Sequence, residues 1–536
     1  MPLEIIKKTV KLLRERKEYF LLGGIILLGL ALRLINIGVE PYWADELLGL
    51  EIAKHYLGDP AGLWRYLQIA EVHPPLYYYL MQGWGSLFGF GEAAIRSLSL
   101  LFSLGLIILT YWAGLVFFKS KRIGLLAAFI VAILPMQIEF GQEARPYAIY
   151  CFFGILSLIL LAKYFQESKT KAKILLLAGF ALASIIGLYL HYSYSLILVP
   201  LAIYWLARLI IKKSGREFVW WLATMAIIFV GFSPWLPALL FKTFFINIIV
   251  TETGRSSYFV RPFGFFENAF NSLLWTDKES PHIMEIIVPI FIKIMFAGLL
   301  ALMIKNNAQW LKRHKNNLLY LLVILVASIL FFLCMPSSIS YTALLYRHIL
   351  FGSIILALLI AVIFVQMGNS RWRLICLLFF VISLITFQIK IVGDDSLYDI
   401  NYRLKIVANH INENYREGEM ILTNTAQIRP QLNYYLRDGV PKAIGVFPAD
   451  LMIPDFMAAE DTLGMMENES QLRFSLVEWP SMDKKLNYLI KKNQAKSVWV
   501  LGDGATEQIR KWFVFNGWKI AFEPIGSLFP LTLYVR

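Results

Sequence analysis

The segment YFLLGGIILLGLALRLINI (19–37), followed closely by PYWADELLGL (41–50), decides the class of fold. A membrane-spanning helix needs roughly 20 mostly apolar residues, and the first segment has that length and composition. The second segment places two adjacent carboxylates, Asp45 and Glu46, between aromatic and leucine side chains. Ionisable groups in such a setting are costly unless they have partners or a function. The stretch therefore indicates a membrane protein with candidate functional groups at the membrane boundary.

The whole chain has the composition of a polytopic membrane protein. Of its 536 residues, 58% are hydrophobic and only 16% are charged, a balance outside the range of soluble domains. The net charge of +14 comes from Lys and Arg clusters in short loops between apolar segments. Such clusters set membrane orientation, and they do not indicate a nucleic-acid partner. Cys151, Cys334 and Cys376 lack the spacing of a disulfide framework or a metal site.

About eleven segments are long and apolar enough to span a membrane. They cover approximately 19–37, 97–118, 123–138, 147–165, 174–191, 195–211, 218–240, 284–304, 318–335, 349–367 and 374–392. Every second connecting loop is short and basic, as in KSKR (119–122) and QESKTKAK (166–173). Because cytoplasmic loops carry the excess of Lys and Arg, this alternation predicts an integral protein of the cell membrane with a cytoplasmic N-terminus.

The chain is predicted to have two parts. Residues 1–392 form the mainly α membrane region, and residues 393–536 have ordinary soluble composition, with short apolar runs alternating with helical patterns. They indicate a small α/β domain outside the cytoplasm. The outer-face loop 38–96 contains ELLGLEIAKHYL (46–57) and HPPLYYYLMQGWGSLFG (73–89), which are typical of helices lying in the membrane interface.

Ionisable residues on the predicted outer side are few, and each is a candidate for a site. They are Asp45, Glu46, His73, Glu92, Arg96, Glu139, Glu143, Arg145, His191, Arg255, Arg261, Arg347 and His348. Structural alternatives exist, because Asp45 could cap a helix and Arg347 could reach the lipid headgroups from a span. As a set, carboxylates and cations suit a reaction in which an acceptor hydroxyl loses a proton while a phosphate leaves.

Several classes of chemistry lack their motifs in this sequence. No Walker A motif, GxGxxG after a strand or HExxH is present, so a cytosolic nucleotide donor and a zinc hydrolase are disfavoured, and no cofactor or metal is indicated. A lipid-linked donor fits better. A transporter or flippase remains an alternative, although Gly- or Pro-broken spans do not recur in matching halves. The second alternative is an oligosaccharyltransferase, although such an enzyme would be expected to have a larger C-terminal domain with a WWDYG-like motif.

Four stretches resemble a known family. They are YWADE (42–46), EVHPPLYYYL (71–80) with the downstream EAAIRSLS (92–99), GQEARPYA (141–148) and LLYRHILF (344–351). Their order and spacing resemble the polytopic GT-C glycosyltransferases, specifically the dolichyl-phosphate-mannose protein mannosyltransferase family and its prokaryotic relatives, including the lipid A aminoarabinose transferases. The resemblance covers about 20–392. The lumenal β-trefoil of the eukaryotic enzymes is missing, which argues against a protein acceptor.

The resemblance implies an inverting enzyme and assigns roles to the residues. A sugar, mannose or a related hexose, would move in one displacement from a polyprenyl-phosphate donor in the membrane lipid to a protein, lipid or glycan acceptor. Asp45 would be the base, and Glu46 would hold the acceptor. The residues expected near the donor phosphate are Arg145, Arg347 and His348. Those expected to line the substrate site are His73, Glu143, Arg96 and Tyr147.

Overall fold

The structure is a computed structural model. It describes residues 17–71, 73–242, 283–333, 345–348, 350–367, 371–393, 395–423, 429–445, 486, 489–492, 494–501, 506–522 and 531–535. The predicted outer-side residues Arg255 and Arg261 lie outside this part of the chain. The described residues divide into two compact units, one of Met1–Gly38 with Ala53–Gly393 and one of Val39–Ile52 with Asp394–Arg536.

The secondary structure of the described membrane region consists of helices joined by turns and loops. Its helices are α1 (Lys17–Leu34), α2 (Ala44–His55), α3 (Pro60–Ile69), α4 (Leu76–Phe88), α5 (Glu92–Phe118), α6 (Lys121–Ile133), α7 (Pro135–Glu139), α8 (Tyr147–Gln166), α9 (Thr170–Leu190), α10 (Ser195–Lys212), α11 (Gly215–Phe232), α12 (Ile283–Asn306), α13 (Ala308–Leu333), α14 (Leu345–His348), α15 (Leu350–Gln366) and α16 (Arg371–Gly393). Short 3₁₀ turns at Tyr192–Tyr194 and Ser233–Trp235 precede α10 and follow α11.

The described residues of each predicted apolar segment lie almost entirely in helices, which confirms the mainly α polytopic fold. Segment 123–138 is divided, because α6 ends at Ile133 and Pro135, which lacks a backbone N–H, begins α7. By length and composition, 6 helices in the described part can cross a membrane: Glu92–Phe118, Tyr147–Gln166, Thr170–Leu190, Tyr192–Lys212, Gly215–Lys242 and Ala308–Phe331. The total number of spans stays a prediction.

The centre of the membrane unit is helix α15. Most of its side chains are buried, and it packs against α6 and α8. Helices α5 and α6 come into close contact beside it. A Cβ added at Gly114 would lie 2.4 Å from the Cα of Gly124, so only glycine permits this approach. The helices at the centre are therefore closely packed, so the positions of their ends are well defined.

The predicted outer-face loop 38–96 contains one helix more than the sequence predicts. Helices α2 and α4 lie on the two predicted interfacial segments, and α3 lies between them. Asp59 caps α3 by accepting the backbone N–H of Gly62 at 2.8 Å, and Pro60 occupies the first helical position. An Asp-Pro pair is a recognised helix start, so α3 could have been predicted.

The C-terminal part forms the predicted α/β structure. It contains α17 (Asp395–Asn414), β1 (Glu419–Thr423), α18 (Arg429–Tyr435), β2 (Ile444–Gly445), β3 (Ser497–Leu501), α19 (Thr506–Phe515), β4 (Lys519–Phe522) and β5 (Leu531–Val535). The strand order is β2-β1-β3-β5-β4. Strand β1 runs parallel to its neighbours β2 and β3, and β5 runs antiparallel to both β3 and β4. Both faces of β1 and β3 are buried, as is usual for parallel strands covered on two sides.

The acidic segment Val39–Ile52 groups with this C-terminal unit and not with the membrane helices that flank it in sequence. Tyr42, Leu47 and Leu50 are completely buried. The second unit begins again at Asp394, and it also includes Val39–Ile52 of the predicted outer-face loop. The division into a membrane region and a C-terminal domain stays a prediction.

Candidate active site

Polar side chains from four places in the membrane unit meet in one cluster, which we call the cationic cluster. Glu71 and His73 come from the loop between α3 and α4, and Arg145 from the turn before α8. The other members are His191 with Ser193 after α9, and Arg347 with His348 in α14. All seven residues lie in turns or at helix ends, so their side chains can meet without disturbing the packing of the long helices.

Glu71, His73 and Arg145 form a chain of contacts. Glu71 Oε1 accepts the Nδ1–H of His73 at 2.8 Å and its backbone N–H at 3.2 Å. The Nε2 atom of His73 lies 3.3 Å from Nη2 of Arg145. A proton on Nδ1 satisfies both contacts, since Nε2 then accepts a hydrogen bond from the guanidinium. Glu71 thereby orients His73, and His73 orients Arg145.

Glu71 carries the negative charge at the end of this chain. Burial alone would raise its pKa, but the hydrogen bonds from His73 and the positive charge of Arg145 outweigh burial and lower the pKa to about 2. The carboxylate is therefore ionised at neutral pH. A buried carboxylate with these partners holds its neighbours in place, and the pair Glu71–His73 is a fixed element of the cluster.

His191 contributes a neutral hydrogen-bond donor. Its Nδ1 accepts the backbone N–H of Ser193 at 3.0 Å, so the remaining ring proton is on Nε2. Burial, together with the nearby positive charges of Arg145 and Arg347, lowers its pKa well below the usual value. The ring stacks on Tyr150, with centroids 5.2 Å apart. Among the described residues Nε2 has no hydrogen-bond partner, although the side chain is buried.

Arg347 and Arg145 approach the same aromatic ring. Their guanidinium carbons lie 5.6 Å and 5.9 Å from the ring centroid of Tyr147, and Arg347 also donates to the Tyr147 hydroxyl at 3.2 Å. The Tyr150 hydroxyl donates to the backbone carbonyl of Arg347 at 2.6 Å, which fixes α14 against α8. Two cations next to one ring, in a buried setting, favour binding of an anion.

His348 completes the cluster. Its Nδ1 lies 2.6 Å from Ser193 Oγ, and its ring centroid lies 5.7 Å from that of His191. Burial and the nearby charge of Arg347 lower the pKa of His348 to about 3, so the ring is neutral. Ser193 therefore contacts both imidazoles, one through its backbone N–H and one through its hydroxyl. No group of three or more His, Cys, Asp or Glu side chains in the described residues is arranged to hold a metal ion.

Three other predicted site residues occupy defined positions in the membrane unit. Glu143 is half-buried in the turn two residues before Arg145, and Ser99 holds this turn by donating to the Arg145 carbonyl at 3.0 Å. Tyr147 is the first residue of α8. Arg96 is buried and donates to the carbonyl of Ile37 at 3.1 Å, a contact that ties α5 to the end of α1. Substrate contacts by these residues stay predictions.

Asp45 and Glu46 lie in the first turn of α2, in the acidic segment of the other unit. Glu46 is buried, and its Oε2 accepts the backbone N–H of Trp43 at 3.2 Å. A Glu at the third helical position that reaches back to the residue preceding the helix is half of a capping box. Asp45 is the second residue of α2 and is partly exposed. The two carboxylates therefore have different surroundings: Glu46 contributes to the helix start, while Asp45 is accessible.

Glu71, His191 and Ser193 were not assigned roles from the sequence. His191 is recognisable only as an ionisable residue at the end of a span. Glu71 could have been found from its position two residues before His73, since this spacing lets a carboxylate reach the imidazole of the same loop. Ser193 carries no sequence signal, because its role depends on two histidines that come together only in the fold.

Comparisons with known proteins place this geometry in a fold class. The crystal structure of ArnT from Cupriavidus metallidurans in the apo state matches with a TM-score of 0.58 at 12% identity, covering 96% of this chain and 98% of ArnT. The ArnT structure bound to undecaprenyl phosphate matches with a TM-score of 0.59 at 13% identity, covering 95% and 97%. The oligosaccharyltransferase AglB from Archaeoglobus fulgidus, in complex with an inhibitory peptide and a dolichol-phosphate, has a TM-score of 0.49 at 12% identity and covers 97% and 74%.

The chain has the fold of the polytopic GT-C glycosyltransferases, and the resemblance recognised in its sequence is confirmed. Within that class, residues 72–237 match the sequence profile of the family described as dolichyl-phosphate-mannose-protein mannosyltransferase. This match includes His73, Arg145 and His191. No curated protein sequence matches the chain.

Proposed function

We propose that the protein is a membrane glycosyltransferase that moves a sugar from a polyprenyl-phosphate donor to an acceptor hydroxyl on the outer face of the membrane. The observation that carries this proposal is the cationic cluster. Two guanidinium groups and the Nε2–H of a neutral imidazole are the donors that a phosphate with several acceptor oxygens needs. The fold shared with ArnT, which has been solved with undecaprenyl phosphate, supports a lipid-linked phosphate as that anion.

The reaction is a single displacement at the anomeric carbon. The acceptor oxygen forms a bond to this carbon while the bond to the phosphate oxygen breaks, and the configuration is inverted. The leaving polyprenyl phosphate gains a negative charge as the bond breaks. Arg145 and Arg347 stabilise that charge, and stabilisation that increases in the transition state accelerates the reaction. Buried groups do this well, because water does not screen them.

The chain Glu71–His73–Arg145 gives the donor side its fixed geometry. An arginine that must meet a developing dianion benefits from being oriented before the reaction begins. His73 fixes one end of the Arg145 guanidinium, and Glu71 fixes His73. In this role His73 forms the floor of the donor site. On the other side Tyr147 accepts a hydrogen bond from Arg347, and the contact of His348 with Ser193 fixes the residue next to Arg347.

Asp45 is the proposed general base, which takes the proton of the acceptor hydroxyl. It lies in the first turn of α2, at the positive end of the helix dipole. Glu46 is proposed to act on the acceptor. Its capping contact with Trp43 supports a division of labour, since the carboxylate that holds the helix start is not the one best able to move a proton.

The sugar is proposed to be mannose or a related hexose, in line with the family description that matches residues 72–237. The acceptor is a hydroxyl-bearing protein, lipid or glycan. The N-terminus is proposed to face the cytoplasm and the C-terminal domain the outside, since the basic loops alternate with the loops that carry the cluster.

A reconstituted assay tests the proposal. The purified protein in lipid nanodiscs receives undecaprenyl-phosphate-linked mannose labelled in the sugar, together with a membrane extract as acceptor source. We expect acceptor-dependent release of undecaprenyl phosphate and a labelled product with inverted anomeric configuration by NMR. Arg145→Ala should abolish most release, whereas Arg65→Ala, which removes an exposed arginine of α3, should not. Movement of intact donor across proteoliposomes without release would identify a flippase instead.

A further inference from the structure

We infer that the C-terminal domain holds the acidic segment in place through Tyr434 and Tyr435, so that this domain is part of the transfer machinery. The inference rests on the proposed role of Asp45. Its starting point is the grouping of Val39–Ile52 with Asp394–Arg536 in one compact unit. The segment that bears both candidate carboxylates thus packs with residues far along the chain, since Tyr42 and Tyr435 are 393 positions apart.

The contacts are specific. The hydroxyl of Tyr435 accepts the backbone N–H of Tyr42 at 3.0 Å. The ring of Tyr434 meets the ring of Tyr42 edge to face, with centroids 5.7 Å apart. Tyr42 is completely buried, and it lies three residues before Asp45. Together the two tyrosines fix both the backbone and the side chain of the residue that leads into α2.

Tyr435 is itself held firmly by the C-terminal domain. Its carbonyl accepts a hydrogen bond from Asn412 at 2.9 Å, and Lys405 lies 5.4 Å from its ring centroid. The ring also packs on the hydrophobic cluster that includes Leu432 and Trp499. A hydroxyl supported in this way can define the position of a loop, since neither partner of the hydrogen bond is on a free chain end.

The start of α2 transmits this position to the carboxylates. Trp43 follows Tyr42, and its N–H is held by Glu46 while its carbonyl accepts the N–H of Leu47 at 3.0 Å. Residues 42–47 therefore form one continuous hydrogen-bonded start of a helix. A shift of Tyr42 would move Asp45 with it, which makes Tyr434 and Tyr435 positioning residues for the proposed base.

We call the contacts of Tyr434 and Tyr435 with Tyr42 the clamp. Hydrogen exchange tests the clamp directly. In Tyr435→Phe the ring and its packing remain, but the Tyr42 amide loses its acceptor. We expect exchange of the peptide covering 40–47 to become about three- to tenfold faster, the range for loss of one hydrogen bond. Peptides from β1 and β3 should be unchanged, which excludes general destabilisation of the domain. Tyr434→Leu should produce a smaller change in the same peptide.

Kinetics provide the second readout. In Tyr435→Phe we expect kcat to fall about three- to tenfold with the KM for the lipid donor unchanged. Unchanged exchange at 40–47, or unchanged kcat, would overturn the inference. Exchange reports on the clamp whether or not the protein transfers sugar, and transfer by Asp45→Asn reports on the proposed base. A failure of the proposed function is thus distinguishable from a failure of the clamp.

Discussion

The cationic cluster and the acidic segment are built in different ways. In the cluster, side chains hold side chains: Glu71 orients His73, and Ser193 contacts both His191 and His348. In the acidic segment, side chains hold the backbone, as Glu46 and Tyr435 do for the amides at the start of α2. The two belong to separate compact units. The proposed donor-binding and base functions should therefore respond separately to mutation.

Membrane topology is the sharpest test of this comparison, because the two regions can serve one reaction only from the same side. Lys491 of the C-terminal domain and Lys312 in the basic stretch of α13 are both exposed. In a background lacking the native cysteines, Lys491→Cys should react fully with an impermeant thiol reagent in intact cells. Lys312→Cys should react only after the membrane is opened. The reverse pattern would refute the proposed orientation.

Asp45→Asn should have the largest kinetic effect. Asparagine keeps the size of the side chain but cannot accept the proton of the acceptor hydroxyl, so transfer should fall about a thousandfold. Donor affinity and thermal stability should stay near wild type, because the residue is partly exposed and lies outside the cationic cluster. Measuring undecaprenyl phosphate binding beside transfer checks both statements. A stable Asp45→Asn protein with substantial transfer would remove Asp45 from the base role.

Arg145→Ala should show the opposite signature. Loss of a preorganised cation at a developing dianion should lower donor use about a hundredfold. Lysine should restore only part, since it cannot reproduce the planar contact with His73 and the Tyr147 ring. Arg65→Ala removes a surface arginine of the same unit and serves as the matched control. Wild-type transfer by a folded Arg145→Ala protein would leave this arginine with a structural role only.

Glu71→Gln should have a moderate effect that is transmitted through His73. The neutral amide can still accept from Nδ1–H, but the charge that strengthens this bond is lost, so kcat should fall about tenfold. The pKa of Glu71 in the folded protein is about 2, below its usual value. Its contribution to stability is therefore present above about pH 4.5 and is lost as pH falls toward 2. This acid-dependent loss should be absent in the variant.

The membrane helices were predicted from the sequence, and so were the cluster members His73, Arg145, Arg347 and His348, whereas the contacts that join the cluster were not. The length of each apolar segment and the basic loops between segments predict where the membrane helices lie, because both depend only on local composition. Contacts such as Arg145 with His73, 72 residues apart, depend on how helix ends meet. The acidic segment's membership of the C-terminal unit is a similar case, since the pairing of Tyr42 with Tyr435 spans 393 residues.

Arg33 shows why a buried charge alone does not identify a site. It lies in α1, at the position of the first predicted span, and its guanidinium donates to Ser103 Oγ at 2.7 Å and to the carbonyls of Gly29, Val131, Ala132 and Gln137. The carbonyls of Val131, Ala132 and Gln137 lie on either side of the break between α6 and α7, so Arg33 supplies donors to backbone groups at this break. Its sequence context resembles that of a functional intramembrane cation, and only the contacts assign it to structure.

The smallest predicted effect separates the two regions by their response to acid. The folded protein keeps His191 and His348 neutral, because burial lowers the pKa of both, to about 3 for His348. The unfolded chain binds protons at these residues near pH 6.5, so stability falls as pH drops below that value, by at most about 1.4 kcal/mol per pH unit for each group. The apparent Tm should thus fall between pH 7 and pH 5.

A matched pair of variants assigns this acid response to the cluster. His191→Asn places an oxygen where Nδ1 accepts the Ser193 N–H, and it removes the titrating ring, so the fall in Tm between pH 7 and pH 5 should become smaller. His55→Gln removes an exposed histidine at the end of α2 and should leave the fall as in the wild type. Equal falls in both variants would show that His191 does not contribute, and a reduced fall in His55→Gln would place the acid response at α2.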